Sequence, residues 1–214
     1  DFDKDRSDRS TYKLLGGSIG FYGSTLNTRQ YATKGYLEKL IAQVFTGRER
    51  FEPGNPQEGY SPSPQERQSW LQISYMKEAY HTMGPKFTLG WMAEALYSSK
   101  NFSENYTATM MQAGEFAPTP HSKLMYNEAF RANQYVAAGI KPIYVLNDMF
   151  QFRTEFYGFT PIFPIKKNAL NKAYYGKAFS RFEYMGEVSV ICHLPFGAIS
   201  AYVNHYSSPR REWN

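Results

Sequence analysis

Hydrophobic and polar residues alternate with a period of two from Arg181 to Leu194. Phe182, Tyr184, Gly186, Val188, Val190, Cys192 and Leu194 make one face, and Arg181, Glu183, Met185, Glu187, Ser189, Ile191 and His193 make the other. Successive side chains of a strand point to opposite faces, so the alternation predicts an amphipathic strand with one apolar face. The stretch "MFQFRTEFYGF" repeats the arrangement, with Phe150, Phe152, Thr154, Phe156 and Gly158 opposite Gln151, Arg153 and Glu155. So does "FTLGWMAEALY", which sets Phe87, Leu89, Trp91, Ala93, Ala95 and Tyr97 against Thr88, Gly90 and Glu94.

Connections between these segments alternate in length. Thr82 to Lys86, Asn147-Asp148 and Pro195-Phe196-Gly197 are short enough for hairpin turns. Arg50 to Gln68, with Pro53, Gly54, Pro56, Gly59, Pro62 and Pro64, is a long polar link, as are Ser99 to Asn105 and Pro161 to Ser180. About ten strands are predicted, near 12–25, 35–49, 69–82, 87–98, 106–116, 122–130, 134–146, 149–160, 181–194 and 198–207. In the second of these, Leu37, Leu40, Ile41, Val44 and Phe45 have helical spacing with no clean two-residue alternation, and periodicity alone predicts a helix.

Long strands with short turns at one end and long loops at the other are the pattern of a transmembrane β-barrel. Soluble strands run near five or six residues, whereas spanning strands need roughly nine to eleven. Tyr12, Trp70, Phe87, Tyr97, Tyr174, Tyr175 and Tyr206 lie near strand ends, where interfacial girdles are expected. A soluble β-rich binding domain is the competing reading, because a half-buried strand also alternates. The uncharged run from Val188 to Pro209 is no membrane helix, since Pro195-Phe196-Gly197 breaks it.

Composition sharpens this picture. Aromatics make up 17% of the 214 residues, led by 18 Tyr and 16 Phe, which favours strands. The net charge of +5 comes from basic residues scattered among 19 acidic ones, so no nucleic-acid footprint is expected. Cys192 is the single cysteine, and His81, His121, His193 and His205 have no ligand spacing, so neither a disulfide framework, a metal site nor a cofactor is predicted. Gly16-Gly17-Ser18-Ile19-Gly20 matches the G-x-S-x-G of serine hydrolases, but a nucleophile elbow needs a strand-to-helix turn, and no helix signal follows Ser18. Ser18 is therefore expected in mid-strand, and no catalytic residue is assigned.

Several stretches resemble the C-terminal barrel of the bacterial surface-antigen superfamily, most of all that of barrel-bearing patatin-like phospholipases. They are "NTRQYATKGYLEKL", similar to a strand-opening P-T-x-G signature with Ala32 in the proline's place, "FRANQYVAAGIKPIYVLNDMFQFRTEFYGFTPI" and "FEYMGEVSVICHLPFGAISAYVNHY". The resemblance favours a strand over 35–49. It implies an all-β fold, with residues 1–214 forming a partial antiparallel outer-membrane β-barrel of about ten strands out of sixteen. The final stretch "SSPRREWN" is a polar turn followed by the first aromatic of a further strand, so the closing strand is expected beyond Asn214, and the resemblance implies a Ser-Asp lipid acyl hydrolase domain before residue 1.

In that family a long loop carries an Arg-Gly-aromatic motif into the lumen, where the arginine pairs with a strand carboxylate. Arg131 in "FRANQY" matches the arginine, although Ala132 replaces the glycine and the aromatic moves to Tyr135; Glu155 is the expected partner. The implied function is that of an outer-membrane anchor or translocator for the phospholipase. An insertase or secretion pore is the alternative. Expected partners are outer-membrane lipid, the chain's own periplasmic and hydrolase domains and, as an open option, further copies in a homo-oligomer. On this reading the apolar faces meet lipid, so arginine should be tolerated better at Ser189 than at Val190 or Phe152.

Overall fold

The computed structural model describes residues 7–54 and 67–207. Its strands are β1 (Arg9–Ser24), β2 (Gly35–Glu52), β3 (Arg67–Thr82), β4 (Phe87–Ser98), β5 (Gly114–Glu115), β6 (Arg131–Ala132), β7 (Gln134–Val145), β8 (Phe150–Pro161), β9 (Ile165–Lys167), β10 (Ala173–Tyr175), β11 (Glu183–Leu194) and β12 (Gly197–Tyr206). The fold is all-β. Eight strands form one antiparallel sheet in the order β1-β2-β3-β4-β7-β8-β11-β12, with β1 and β12 at its edges among the described residues. No closed barrel is present among those residues. Most of the polar turn expected to lead into the closing strand falls on 208–214, outside the described residues, as does most of the Arg50–Gln68 link.

Each sheet strand pairs with the next sheet strand along the chain. The links β3–β4, β7–β8 and β11–β12 are therefore tight and share one end of the sheet, together with residues 25–34. The connections from β4 through 99–133 and from β8 through 162–182 emerge at the other end, where β2 ends and β3 begins. Gly35 shows why the strand-opening signature needs its glycine: φ is +89°, and a Cβ would sit 2.2 Å from the Thr25 carbonyl oxygen.

Two expected strands are not strands of the sheet. Residues 106–116 form the helix α1 (Tyr106–Gln112) followed by β5, because the Asn105 side chain caps the helix by accepting the Ala108 N–H at 2.7 Å. Residues 122–130 form two 3₁₀ turns, Ser122–Leu124 and Glu128–Phe130. Pro118 and Pro120 remove ladder donors just upstream, and the Asn127 side chain holds the Ala129 N–H at 3.1 Å. The second segment, despite its helical spacing, is the 18-residue strand β2.

The 99–133 link lies against one face of the sheet. Phe116 packs on Tyr135, Tyr157 and Phe159, and Phe130 packs on Phe159 and Tyr206, forming with Met92, Leu96 and Met185 the main buried cluster. From the other end, Ala32 of the 25–34 link is buried with Tyr80 and Ile143. The sheet thus has a covered face and a bare one.

Candidate functional site

Burial along the strands inverts the soluble arrangement. In β8, Gln151, Arg153, Glu155 and Tyr157 are buried while Phe150, Phe152, Thr154 and Phe156 are exposed. In β11, Glu187 and Ser189 are buried, whereas Val188 on the bare face is 59% exposed. Register carries the bare face across strands, as in the row Phe87, Tyr144, Phe152, Val190 and Ala201. Along β4, β7, β8, β11 and β12 this face holds no Asp, Glu, Lys or Arg; Glu94, Lys141, Arg153, Glu155, Glu183 and Glu187 all point to the other side.

On β1, β2 and β3 the bare face is layered. Lys13, Arg48 and Arg67 form one row, followed by rows led by Leu15, Gly17, Ile19 and Phe21, and then by Gly23, Glu38 and Lys77. Ten residues separate the two charged rows, about 33 Å along a strand. At the tilt usual in barrels that becomes an apolar band about 25 Å tall, the height expected of a spanning barrel. Phe87 and Tyr97, at the ends of β4, lie on this face and are 40% and 47% exposed. The other expected girdle residues do not. Trp70 is stacked under Phe45 with ring centroids 5.2 Å apart, Tyr12 and Tyr206 face the covered side, and Tyr174 and Tyr175 sit on the β9–β10 hairpin.

The covered face carries a polar network near the short-turn end. Arg153 donates from Nε to Glu155 at 3.0 Å, from one terminal nitrogen to the Ala32 carbonyl at 2.9 Å, and from the other to the Tyr80 hydroxyl at 3.3 Å. The Tyr157 hydroxyl donates to the other Glu155 oxygen, and Lys141 pairs with Glu78 at 3.0 Å. The Arg153 and Glu155 side chains are 2% and 8% exposed, so each would be costly without the other. Residues 25–34 are clamped here: Gln151 donates to the Tyr31 carbonyl at 3.2 Å, and the Tyr31 hydroxyl bonds Ser200 of β12 at 2.8 Å. Tyr31 has φ +56°, a conformation that these contacts hold in place.

The expected Arg131–Glu155 pair does not form. Arg131 binds Glu115 at 2.7 Å, and a second guanidinium nitrogen reaches the carbonyls of Met110, Met111 and Ala113 at 3.4, 3.2 and 3.2 Å. It lies in β6 opposite Glu115 of β5, so it closes the 99–133 link upon itself, while Glu155 is taken by its strand neighbour Arg153. A double-mutant cycle should give a coupling of about 1 kcal/mol between Arg131 and Glu115 and additivity between Arg131 and Glu155. Phe116 and Phe130, which the sequence reading passes over, are the side chains that carry the link onto the sheet. Ser18 stands in mid-strand opposite Gln43, with no helix following it.

Lys100, in the link after β4, has its ammonium 5.0 Å from the Trp70 ring centroid and 5.5 Å from that of Tyr12. Burial lowers its pKa to about 8 against the opposing pull of Glu49. The unfolded chain binds this proton first as pH falls, so Lys100 withdraws stability between the ordinary lysine value and about 8. Its acylation rate should inflect near pH 8, and Lys100→Gln should remove that part of the stability rise on going alkaline. A reaction inflecting at the ordinary lysine value instead would mean that the amine is solvated.

Compared with family models, curated proteins and solved structures, the chain matches none of them.

Proposed function

We propose that this chain is part of a transmembrane β-barrel of a bacterial outer membrane, with its bare face against lipid and its covered face toward the lumen. The observation that carries the reading is the inverted polarity: ionic side chains are buried while a continuous apolar band is exposed on the same strands. A water-soluble sheet would leave that band as a large exposed patch, which soluble monomers avoid. The charge-free bare face of five strands and the band's height support the same reading. Phe116 and Phe130 fill part of the lumen on this view, and the 25–34 link closes over the end bearing the short turns.

The task assigned to the barrel is to anchor or translocate a patatin-like lipid acyl hydrolase carried by another part of the same protein. That assignment rests on the sequence resemblance alone. No residue of the described sheet is given a catalytic role; Ser18→Ala is expected to change stability by less than about 0.5 kcal/mol and to leave acyl hydrolysis intact. Refolding into phosphatidylcholine vesicles followed by flotation tests the membrane assignment. The chain should float with the vesicles, resist extraction by alkaline carbonate and migrate differently on gels before and after boiling. A monomer that stays in the aqueous fraction with its sheet formed would contradict it. The gene upstream tests the task, which requires an α/β serine hydrolase there.

A further inference from the structure

On the bare face, Lys13 of β1, Arg48 of β2 and Arg67 of β3 stand in direct register. All three are exposed, and none has an acidic partner among the described residues. Like charges directly opposite one another on neighbouring strands repel, so a row of three needs a counter-anion. The neighbouring positions show that the sheet can balance charge when it does: Arg50 is paired with Glu52 at 2.9 Å, and at the far edge of the band Lys77 faces Glu38 at 3.6 Å.

The row is also shaped. Arg67 donates from Nε to the Thr46 hydroxyl at 3.0 Å, and Ser69 donates to the same oxygen at 2.9 Å. This fixes the guanidinium along the sheet and leaves its two terminal amino groups free to meet an acceptor. A shallow groove of about 720 Å³ lies at this corner of the sheet, lined by Lys13, Thr46, Arg48 and Arg67 on the bare face and by Tyr12 and Leu14 from the other. Leu15, one row toward the band, is 73% exposed, so an anion held here would continue directly onto apolar surface.

We propose that this row binds the head of a multiply phosphorylated glycolipid, with its acyl chains lying on the adjoining band; the proposal rests on the membrane reading above. Neighbouring strands are about 4.8 Å apart, so three cations in line span about 10 Å, wider than one phosphate and suited to two carried on a short saccharide. Guanidinium groups bind phosphate through paired hydrogen bonds, and Lys13 adds a mobile charge at the row's end. The row stands at the edge of the band nearest the long links, and the opposite edge carries the balanced Glu38–Lys77 pair. The two leaflets therefore meet different surfaces.

The full chain, refolded in phosphatidylcholine vesicles, is mixed with lipid A, a bis-phosphorylated acylated disaccharide, or with its monophosphorylated form or phosphatidylglycerol. Lipid retained after extraction into zwitterionic detergent is counted by native mass spectrometry. Lipid A should be retained, with the other two held more weakly, and Arg48→Gln with Arg67→Gln should lower its retention by about tenfold or more. Lys13→Gln, at an exposed end without a hydrogen-bond partner, should lower it roughly threefold without affecting folding. Arg50→Gln should leave it unchanged. Equal retention of phosphatidylglycerol, or retention indifferent to Lys13 and Arg48, would overturn the proposal while the barrel reading stands. A chain that does not float with the vesicles would overturn both.

Discussion

Ile19→Arg is expected to destabilise the folded chain in a bilayer by about 2–4 kcal/mol, whereas Ser18→Arg, one residue earlier, should cost less than about 1 kcal/mol. Both positions are exposed, so burial does not separate them. What separates them is the face: Ile19 is 77% exposed in the middle of the apolar band, and Ser18 points to the covered side beside Gln43. For a soluble sheet two exposed positions would respond alike, within about 0.5 kcal/mol. Val190→Arg and Phe152→Arg belong with Ile19. Ser189, the tolerant neighbour expected from alternation alone, is a poor control, since it is 2% exposed and stands opposite Arg153, where a second cation would be both crowded and repelled. Urea titration of the refolded variants in vesicles measures the difference.

The second large effect lies in the covered network. Arg153→Met should cost about 3–5 kcal/mol, because it strands the Glu155 carboxylate, 8% exposed, without its directly hydrogen-bonded counter-charge. The same change frees the Ala32 carbonyl, so the 25–34 link should become open to protease near Arg29 while the rest of the sheet stays protected. Adding Glu155→Gln should recover part of the loss, since the charge that was left unpaired is then gone. Recovery with restored protease resistance would mean that packing, not Arg153, holds the link. Arg153→Met without effect on either measure would remove the network from any structural role.

Alternation made the sheet legible because it is a local signal: parity along β8 and β11 assigns each residue a face, and register then extends that face to neighbouring strands. It also explains why periodicity alone pointed to a helix at β2, where the resemblance favoured the strand that forms. Leu37, Ile41 and Phe45 are four apart, as are Leu40 and Val44, and a step of four keeps a residue on one side of a helix and of a strand alike. Apolar residues on both faces of β2 hid the period of two. In 106–130 the signals were caps rather than periodicity, namely Asn105, Asn127 and the prolines at 118 and 120, and they compete with strand formation over only a few residues.

The site was less legible than the sheet. Arg131 and Glu155 were joined on a family pattern, yet each has an acidic or basic group closer to hand: Glu115 across the β5–β6 pairing and Arg153 two residues along β8. Contacts that close the network, such as Arg153 with the Ala32 carbonyl, span about half the chain and leave no trace in spacing. Lys13, Arg48 and Arg67 are likewise scattered in sequence and become a row only through the register of three strands.

That one face of this sheet meets lipid and the other does not is measured most directly on β1. Nitroxide labels placed singly at residues 15 to 22 of the chain in vesicles report collisions with oxygen, which concentrates in the bilayer, and with a water-soluble nickel chelate. Strict alternation is expected, with Leu15, Gly17, Ile19 and Phe21 relaxed by oxygen and Gly16, Ser18, Gly20 and Tyr22 by nickel. Equal access of the nickel chelate to both sets would contradict it.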